Sequence, residues 1–357
     1  MLLISAAAWF AWAVLNPMQP PAQTFVMLRP GYSTRRIASE LKAAGVIRNR
    51  NTFILWHYLQ QRHRSLKDGS LKAGEYLFER PANVRDIERR LRHGDVYFHT
   101  VVVPEGFTMF DIARAIEAAG LGPAAEFLKV AQTDTEMISD LAPHAPSLEG
   151  YLFPDTYQFT RMMTMQEMAA AMVKQFRQVT RQIGLTQPQS VASTESSSPA
   201  ITVLPENASA VDTHSAISSA DDVERIVTMA SIIEKETAVP DERPLVASVY
   251  YNRLAKKIAL DADPSIIYAE LLAGTYSGAL HHEDMRFDSR YNTYRYLGLP
   301  PGPIANPGKS ALEAAMHPAQ SDYYYFVADA QGHHRFAHSI EEHNKNVAAY
   351  RRAMRGQ

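Results

Sequence analysis

One segment of the chain occurs twice, and this internal repeat constrains the fold more than any other feature of the sequence. The block that runs from Pro30-Gly31-Tyr32-Ser33 to Val46 recurs from Glu105-Gly106-Phe107-Thr108 to Leu121. At the same shift, Tyr76-Leu77-Phe78 recurs as Tyr151-Leu152-Phe153. Two separate blocks that match at one shift indicate a duplicated structural unit.

Each copy predicts the same order of elements: a strand, a Gly turn, a helix capped by Ser33 or Thr108, a second helix and a Tyr-Leu-Phe strand. The apolar strand followed by Pro-Gly-Tyr-Ser and Ile-Ala-x-x-Leu resembles the LysM module, a small β-α-α-β unit that binds glycans containing N-acetylglucosamine, and this resemblance covers the first half of each copy. Any strand that enters an amphipathic helix through Gly and Ser/Thr would give the same letters, so both interpretations stay open. The two copies differ at one position that can carry chemistry. Gly74 of the first copy corresponds to Glu149 of the second, so the second copy has gained an acidic side chain.

The composition excludes several classes of protein. The 357 residues, 46% of them hydrophobic, suffice for more than one subdomain, and the net charge of -2 argues against a general nucleic-acid binder. The absence of cysteine excludes disulfides, thiol catalysis and thiolate zinc sites. The histidines lack metal-ligand spacing, and neither a phosphate loop nor a Gly-x-Ser-x-Gly motif occurs. We therefore predict neither a metal nor a cofactor.

The N-terminal run is apolar but short. Residues 1–15 carry no charge, and a helix that crosses a bilayer needs ~20 residues. A signal-peptide core, a buried helix and a membrane helix whose beginning is missing all fit this run. Trp9, Trp12 and the proline-rich segment that follows resemble an interfacial edge, so we predict a membrane anchor over residues 1–17.

The rest of the chain alternates helices with short strands and predicts an α+β fold. We expect a LysM-like β-α-α-β subdomain over residues 24–98 and an α+β catalytic domain over residues 99–357. Residues 187–221 are rich in serine and contain neither Lys nor Arg. Such a segment buries too little apolar surface to offset its ordering entropy, so we predict a flexible insertion there.

The segment Ser231-Ile-Ile-Glu-Lys-Glu-Thr237 places two carboxylates beside an apolar helical stripe formed by Ile226, Met229, Ala230, Ile233 and Thr237. Glu234 and Glu236 fall on opposite borders of that stripe, and helix geometry does not choose between them. A carboxyl group desolvated there keeps its proton and could protonate a glycosidic oxygen. The alternative is that both are ordinary solvated residues, one of them paired with Lys235 or Arg243.

Five ordered motifs resemble the endolytic murein transglycosylases, the YceG-like family. They are Leu148-Glu-Gly-Tyr-Leu-Phe-Pro-Asp-Thr-Tyr157, Ala230-Ser-Ile-Ile-Glu-Lys-Glu-Thr237, Val246-Ala-Ser-Val-Tyr-Tyr-Asn-Arg-Leu254, Leu260-Asp-Ala-Asp-Pro-Ser-Ile-Ile-Tyr268, and Tyr291-Asn-Thr-Tyr294 with Gly298-Leu-Pro-Pro-Gly302. The similarity extends from about Val26 to Tyr350.

The resemblance implies a single-pass inner-membrane protein with its catalytic part in the periplasm. Such an enzyme cleaves the β-1,4 bond between N-acetylmuramic acid and N-acetylglucosamine in nascent strands, beside the synthases, and leaves 1,6-anhydro ends. Glu234 matches the family's catalytic acid. From motif membership we expect Glu149, Glu236, Asn292, Tyr291 and Tyr294 to bind substrate. The two glutamates, together with Asp263, would position groups or stabilise the oxocarbenium ion, while Asn292, Tyr291 and Tyr294 would contact sugar. A muramidase-type hydrolase and a non-catalytic peptidoglycan-binding scaffold are the alternatives.

Overall fold

The computed structural model describes residues 2–61, 70–186 and 219–355, and the predicted α+β class is confirmed. The chain divides into two compact units. The first comprises Met1–Val101, Ala119–Leu121 and Tyr157–Thr164. The second comprises Val102–Ala118, Gly122–Thr156 and Met165–Gln357.

The first part of the chain alternates helices with short strands. The elements in order are α1 (Leu2–Leu15), β1 (Thr24–Leu28), α2 (Thr34–Ala43), α3 (Arg50–Gln61), β2 (Gly74–Phe78), α4 (Val84–His93) and β3 (His99–Val102). β1 and β2 are antiparallel, with Val26 opposite Tyr76. Both side chains are buried in a core to which α2, α3 and α4 contribute apolar residues. The segment from β1 to β2 therefore has the predicted β-α-α-β order, while its likeness to LysM stays a prediction.

The later part is mainly helical. Its elements in order are α5 (Met109–Ala118), α6 (Ala124–Thr133), β4 (Thr156–Phe159), α7 (Met165–Gln182), α8 (Ala220–Glu236), α9 (Arg243–Ala255), α10 (Asp263–Ala273), α11 (Lys309–Met316), β5 (Tyr325–Ala328), β6 (His334–Ala337) and α12 (Ile340–Arg355). β4 pairs with β3, and β5 with β6. Residues 187–218 of the predicted insertion at 187–221 lie outside the described residues. The last two residues of that range, 220 and 221, belong to α8.

The structure confirms the helical part of the repeat. α2 and α5 begin and end at corresponding positions of the two copies. In both copies the Gly after this helix is left-handed, with φ of 69° at Gly45 and at Gly120. Gly tolerates this conformation without a steric penalty, which is why the helix can end there.

The prediction of a strand at Tyr151-Leu152-Phe153 is wrong. Tyr151 and Leu152 lie in a turn, and the strand comes later, as β4. The backbone N–H groups of Gly150 and Leu152 donate to the side-chain oxygen of Asn306, at 2.9 Å each, and not to a neighbouring strand. Gly150 is also left-handed, with φ of 88°. A contact distant in sequence thus replaces the local strand pattern.

The N-terminal run forms α1, which packs on the first unit through the buried side chain of Val14. The Arg48 guanidinium donates to the carbonyl oxygens of Asn16 and Pro17 at 3.0 and 2.9 Å and stands over the ring of Trp12. Across the ranges that the structure describes, no helix combines the length and apolar character needed to span a membrane.

α8 is the central helix of the second unit. Ser219 and Asp222 form a capping box at its start, and every residue from Val227 to Ile233 is buried. The predicted one-sided apolar stripe is therefore too narrow. α9, α10 and α11 all pack against α8, and a helix surrounded in this way is buried on every side. Glu234 follows directly on this buried stretch.

Candidate active site

Glu234 lies in the last turn of α8, and its side chain is only 5% exposed. Its two carboxylate oxygens have different partners. Nη2 of Arg243 donates to Oε1 at 2.7 Å, and the backbone N–H of Gly308 donates to Oε2 at 2.9 Å. Arg243 is the partner that the solvated alternative named, yet both side chains of the pair are buried. The interpretation of Glu234 as an ordinary solvated residue is therefore wrong.

Three backbone segments bring these groups together. Arg243 is the first residue of α9, and Gly308 is the N-cap of α11. The turn before α5 supplies Gly106, which lies beside the Glu234 stem and whose left-handed φ of 76° favours glycine. Nζ of Lys235 donates to the carbonyl of Gly106 at 3.3 Å and ties this turn to α8.

Opposing influences act on the pKa of Glu234, and the net direction is upward from the usual value of 4.5. Burial is the largest cause, because it penalises the charged form. The Gly308 N–H and the charges of Arg243 and Lys235 lower the pKa, while the charge of Glu105 raises it. The sequence prediction of a raised pKa at Glu234 agrees with this balance.

Asn306 and Glu149 form a buried hydrogen-bonded node beneath this site. Asn306 is 0% exposed, and its Nδ2 donates to Oε1 of Glu149 at 2.6 Å and to the carbonyl of Phe107 at 2.9 Å. Its Oδ1 accepts the N–H groups of Gly150 and Leu152. All four hydrogen-bonding positions of the amide are therefore used.

The node positions the turn before α5. Both oxygens of Glu149 accept the backbone N–H of Met109, the first residue of α5, at 3.1 and 2.9 Å. Burial raises the pKa of Glu149 to about 8. Glu149 is 1% exposed, so its carboxyl group supports the backbone around Glu234. The predicted sugar contact by Glu149 would require this node to open, and it stays a prediction.

Asn292 also holds backbone. It is buried, and its Nδ2 donates to the carbonyl oxygens of Met285 and Phe287 at 3.1 and 2.8 Å. Tyr291 is half-buried, with its ring 5.1 Å from that of Tyr268. Burial, followed by the charge of Glu149, raises the pKa of Tyr291. Tyr291 therefore lies near Glu149, and the predicted contacts of Asn292 and Tyr291 with sugar stay predictions.

Glu236 belongs to a second polar cluster. The hydroxyl of Tyr250 donates to its Oε1 at 2.8 Å, and the hydroxyl of Tyr294 donates to Oδ1 of Asp263 at 2.5 Å. Burial raises the pKa of Glu236 to about 7, and the nearby charge of Asp263 adds to this shift. Tyr294 is 38% exposed, so this cluster reaches solvent. It brings together Glu236, Tyr294 and Asp263 on a different face of α8 from Glu234, and their predicted roles in substrate binding stay predictions.

Sequence reasoning did not find Glu105, Gly308 or Asn306, and it named Arg243 only as a possible surface partner. A signal for Glu105 was present in the repeat, where it replaces Pro30 just as Glu149 replaces Gly74. The second copy thus gained an acid at both positions that border the site. Within the described residues, no group of three or more His, Cys, Asp or Glu side chains is arranged to hold a metal ion.

Comparison with known proteins shows which family the chain resembles. A family model described as the YceG-like family matches residues 26–349. An endolytic murein transglycosylase of Bacillus subtilis (strain 168) is 32% identical over 370 residues, which cover 98% of this chain and 91% of that protein. One from Streptococcus pneumoniae serotype 2 (strain D39) is 27% identical over 390 residues, and the match spans 98% of this chain but 63% of that protein.

The fold has a counterpart among solved structures. The crystal structure of a yceG-like protein from Listeria monocytogenes superposes with a TM-score of 0.53 at 31% sequence identity. The match covers 90% of this chain and 98% of that one. The similarity therefore extends over both compact units.

Replacing Asn306 should destabilise the protein strongly. Asn306→Ala leaves the N–H groups of Gly150 and Leu152 without an acceptor and removes one of the donors to the carboxyl group of Glu149. Because each unsatisfied buried group costs about 1–3 kcal/mol, we expect the free energy of unfolding to fall by about 3 kcal/mol. Urea unfolding measures this, with the exposed Asn344→Ala as the matched control. Equal stability of the two variants would contradict the role assigned to Asn306.

Glu236 should make stability depend on pH. Its pKa is about 7 when folded and near 4.5 when unfolded, so the wild type loses stability as the pH rises through this window. Glu236→Gln lacks this loss. We expect its stability relative to wild type to increase by on the order of 2 kcal/mol between pH 4 and pH 8. Urea unfolding across this range checks it, with the exposed Glu126→Gln as control. A constant difference between Glu236→Gln and wild type would contradict it.

Proposed function

The chain belongs to the YceG-like family, and on this basis we propose that it is a peptidoglycan lytic transglycosylase with Glu234 as its acid and base. The substrate is a murein glycan strand, cleaved within its length between N-acetylmuramic acid and N-acetylglucosamine. The observation that carries this proposal is the desolvated carboxyl group of Glu234, held at both oxygens and raised in pKa.

The first half of the reaction uses the proton of Glu234. Each carboxyl oxygen accepts one hydrogen bond in the structure and has a second lone pair, so a proton can be carried without breaking either contact. Glu234 protonates the leaving oxygen while the bond to the anomeric carbon breaks. Arg243 and the Gly308 N–H then stabilise the resulting carboxylate.

The second half returns the proton. The carboxylate of Glu234 removes a proton from the C6 hydroxyl of the muramic acid, and that oxygen closes on the anomeric carbon. The product is a 1,6-anhydro end, with no water consumed and Glu234 protonated again. Such cleavage within nascent strands terminates their elongation.

The cellular setting is part of the same proposal. We place the protein at the cell inner membrane as a single-pass protein, with residues 1–17 as anchor, the catalytic part in the periplasm, and peptidoglycan synthases as partners. The run of exposed apolar side chains on α1, which includes Trp9 and Trp12, supports membrane attachment. The β-α-α-β order between β1 and β2 supports glycan binding by a LysM-like unit over residues 24–98.

One observation favours a muramidase-type hydrolase as the second candidate. A hydrolase needs a second carboxylate near the acid, and Glu105 lies close to the Arg243 that binds Glu234. The two reactions leave different ends, because hydrolysis gives reducing ends and transglycosylation gives anhydro ends.

Glu234→Gln should abolish cleavage while leaving the protein folded. Glutamine keeps an acceptor for the Gly308 N–H but cannot supply a proton, so we expect the rate to fall by roughly 10²- to 10⁴-fold. The assay incubates the full chain with uncrosslinked glycan strands and determines the fragment ends by mass spectrometry. Glu126→Gln, at an exposed position on α6, is the matched control.

The products separate the candidates. Anhydro-ended fragments from the wild type and the control, but not from Glu234→Gln, support the proposal. Reducing ends would replace the transglycosylase with the hydrolase. Glycan binding without cleavage by any variant would leave only a peptidoglycan-binding scaffold.

A further inference from the structure

Glu105 and Glu234 both form an ion pair with the same guanidinium nitrogen of Arg243. Nη2 of Arg243 lies 2.7 Å from Oε1 of Glu234 and 3.7 Å from Oε2 of Glu105. These two distances place the carboxylate oxygens no more than about 6.4 Å apart. The Glu105 side chain is 51% exposed and that of Glu234 only 5%, so Glu105 is the carboxylate on the open side of the pair.

The surrounding backbone leaves space for the Glu105 side chain. A Cβ atom on Gly308 would lie 1.9 Å from Oε1 and 2.1 Å from Cδ of Glu105. The φ of Gly308 is -77°, which any residue can adopt, so the occupied space and not the backbone favours glycine here. The next residue, Gly106, donates its N–H to the carbonyl of Asn306 at 2.9 Å and anchors the turn.

We propose that Glu105 is the second functional carboxylate of the site and faces the sugar whose glycosidic oxygen Glu234 protonates. This inference rests on the proposed function. As the bond breaks, the leaving oxygen takes the bonding electron pair and the proton of Glu234, and positive charge develops at the anomeric carbon and ring oxygen. The negative charge of Glu105 stabilises that cation until the C6 hydroxyl closes on the anomeric carbon.

Glu105 is close enough to Glu234 to act on the same sugar. The nearest oxygens of the two carboxylates lie no more than about 6.4 Å apart, because both are within 3.7 Å of one nitrogen. Carboxylate pairs that act together in glycosidases stand about 5–9.5 Å apart. The ends of the products, anhydro or reducing, distinguish stabilisation of the sugar cation from activation of water.

Glu105 has a second effect, on the proton of Glu234. The charged groups that face Glu234 are Glu105 from the turn before α5, Arg243 from α9 and Lys235 from α8 itself. Of these, only Glu105 opposes ionisation of Glu234. Its removal lowers the pKa of Glu234 and leaves less of the acid protonated at a given pH.

The test compares Glu105→Gln, Glu105→Asp and Gly308→Ala with the exposed control Glu126→Gln, in the full chain. Glutamine keeps the size of Glu105 but not its charge, and alanine at Gly308 displaces the Glu105 side chain. With glycan strands, we expect Glu105→Gln and Gly308→Ala to lower kcat by about 10- to 100-fold, with less effect on KM. The limb of the pH–rate profile on which Glu234 loses its proton should move to lower pH. Glu105→Asp, which keeps the charge, should restore part of kcat.

A second measurement does not depend on activity. Carboxyl-carbon NMR titration, assigned with Glu234→Gln, follows the ionisation of Glu234 directly, and its pKa should fall in Glu105→Gln but not in Glu126→Gln. If Glu105→Gln has the same kcat, pH profile and Glu234 titration as the wild type, this inference is overturned and the proposed function stays intact. A wild type that cleaves no glycan would overturn the proposed function and with it the sugar-facing role of Glu105, whatever the titration shows.

Discussion

The side-chain amide of Asn306 connects the loop before α11 with the turn before α5 and with residues 149–152. It donates to Glu149 and to the Phe107 carbonyl, and it accepts the N–H groups of Gly150 and Leu152. Because every position of the amide is used, the turn before α5 and the loop before α11 have one mutual arrangement. That arrangement sets the positions of Glu105, which precedes Gly106, and of Gly308, which donates to Glu234.

The electrostatics of the site follow from this arrangement. A carboxyl group at the end of a fully buried helical stretch is costly to ionise, and Arg243 alone would favour the charged form. Glu105 adds negative charge on the open side and shifts the balance back towards the proton. The site therefore holds a group that can exist in both protonation states, as a reaction with proton donation followed by proton return requires.

The fold was predictable where local patterns decide it. The repeat located α2 and α5, with their Ser/Thr start and Gly end. It failed at Tyr151, because Asn306, far along the chain, binds the backbone that a strand would have used. Glu234 was chosen by family motifs, since helix geometry alone ranked it equal to Glu236. Arg243, Gly308 and Glu105 become neighbours only through the packing of α8, α9 and α11, which no local pattern encodes.

The role of Glu234 is tested most directly by a crystal structure of the Glu234→Gln variant with a bound glycan strand. We expect the oxygen bridging muramic acid and glucosamine to lie within about 2.6–3.2 Å of the side-chain amide at position 234. The muramic acid ring should stand beside the Glu105 carboxylate. A strand bound with its bridging oxygens beyond hydrogen-bonding reach of that position would contradict the assignment of Glu234 as the acid.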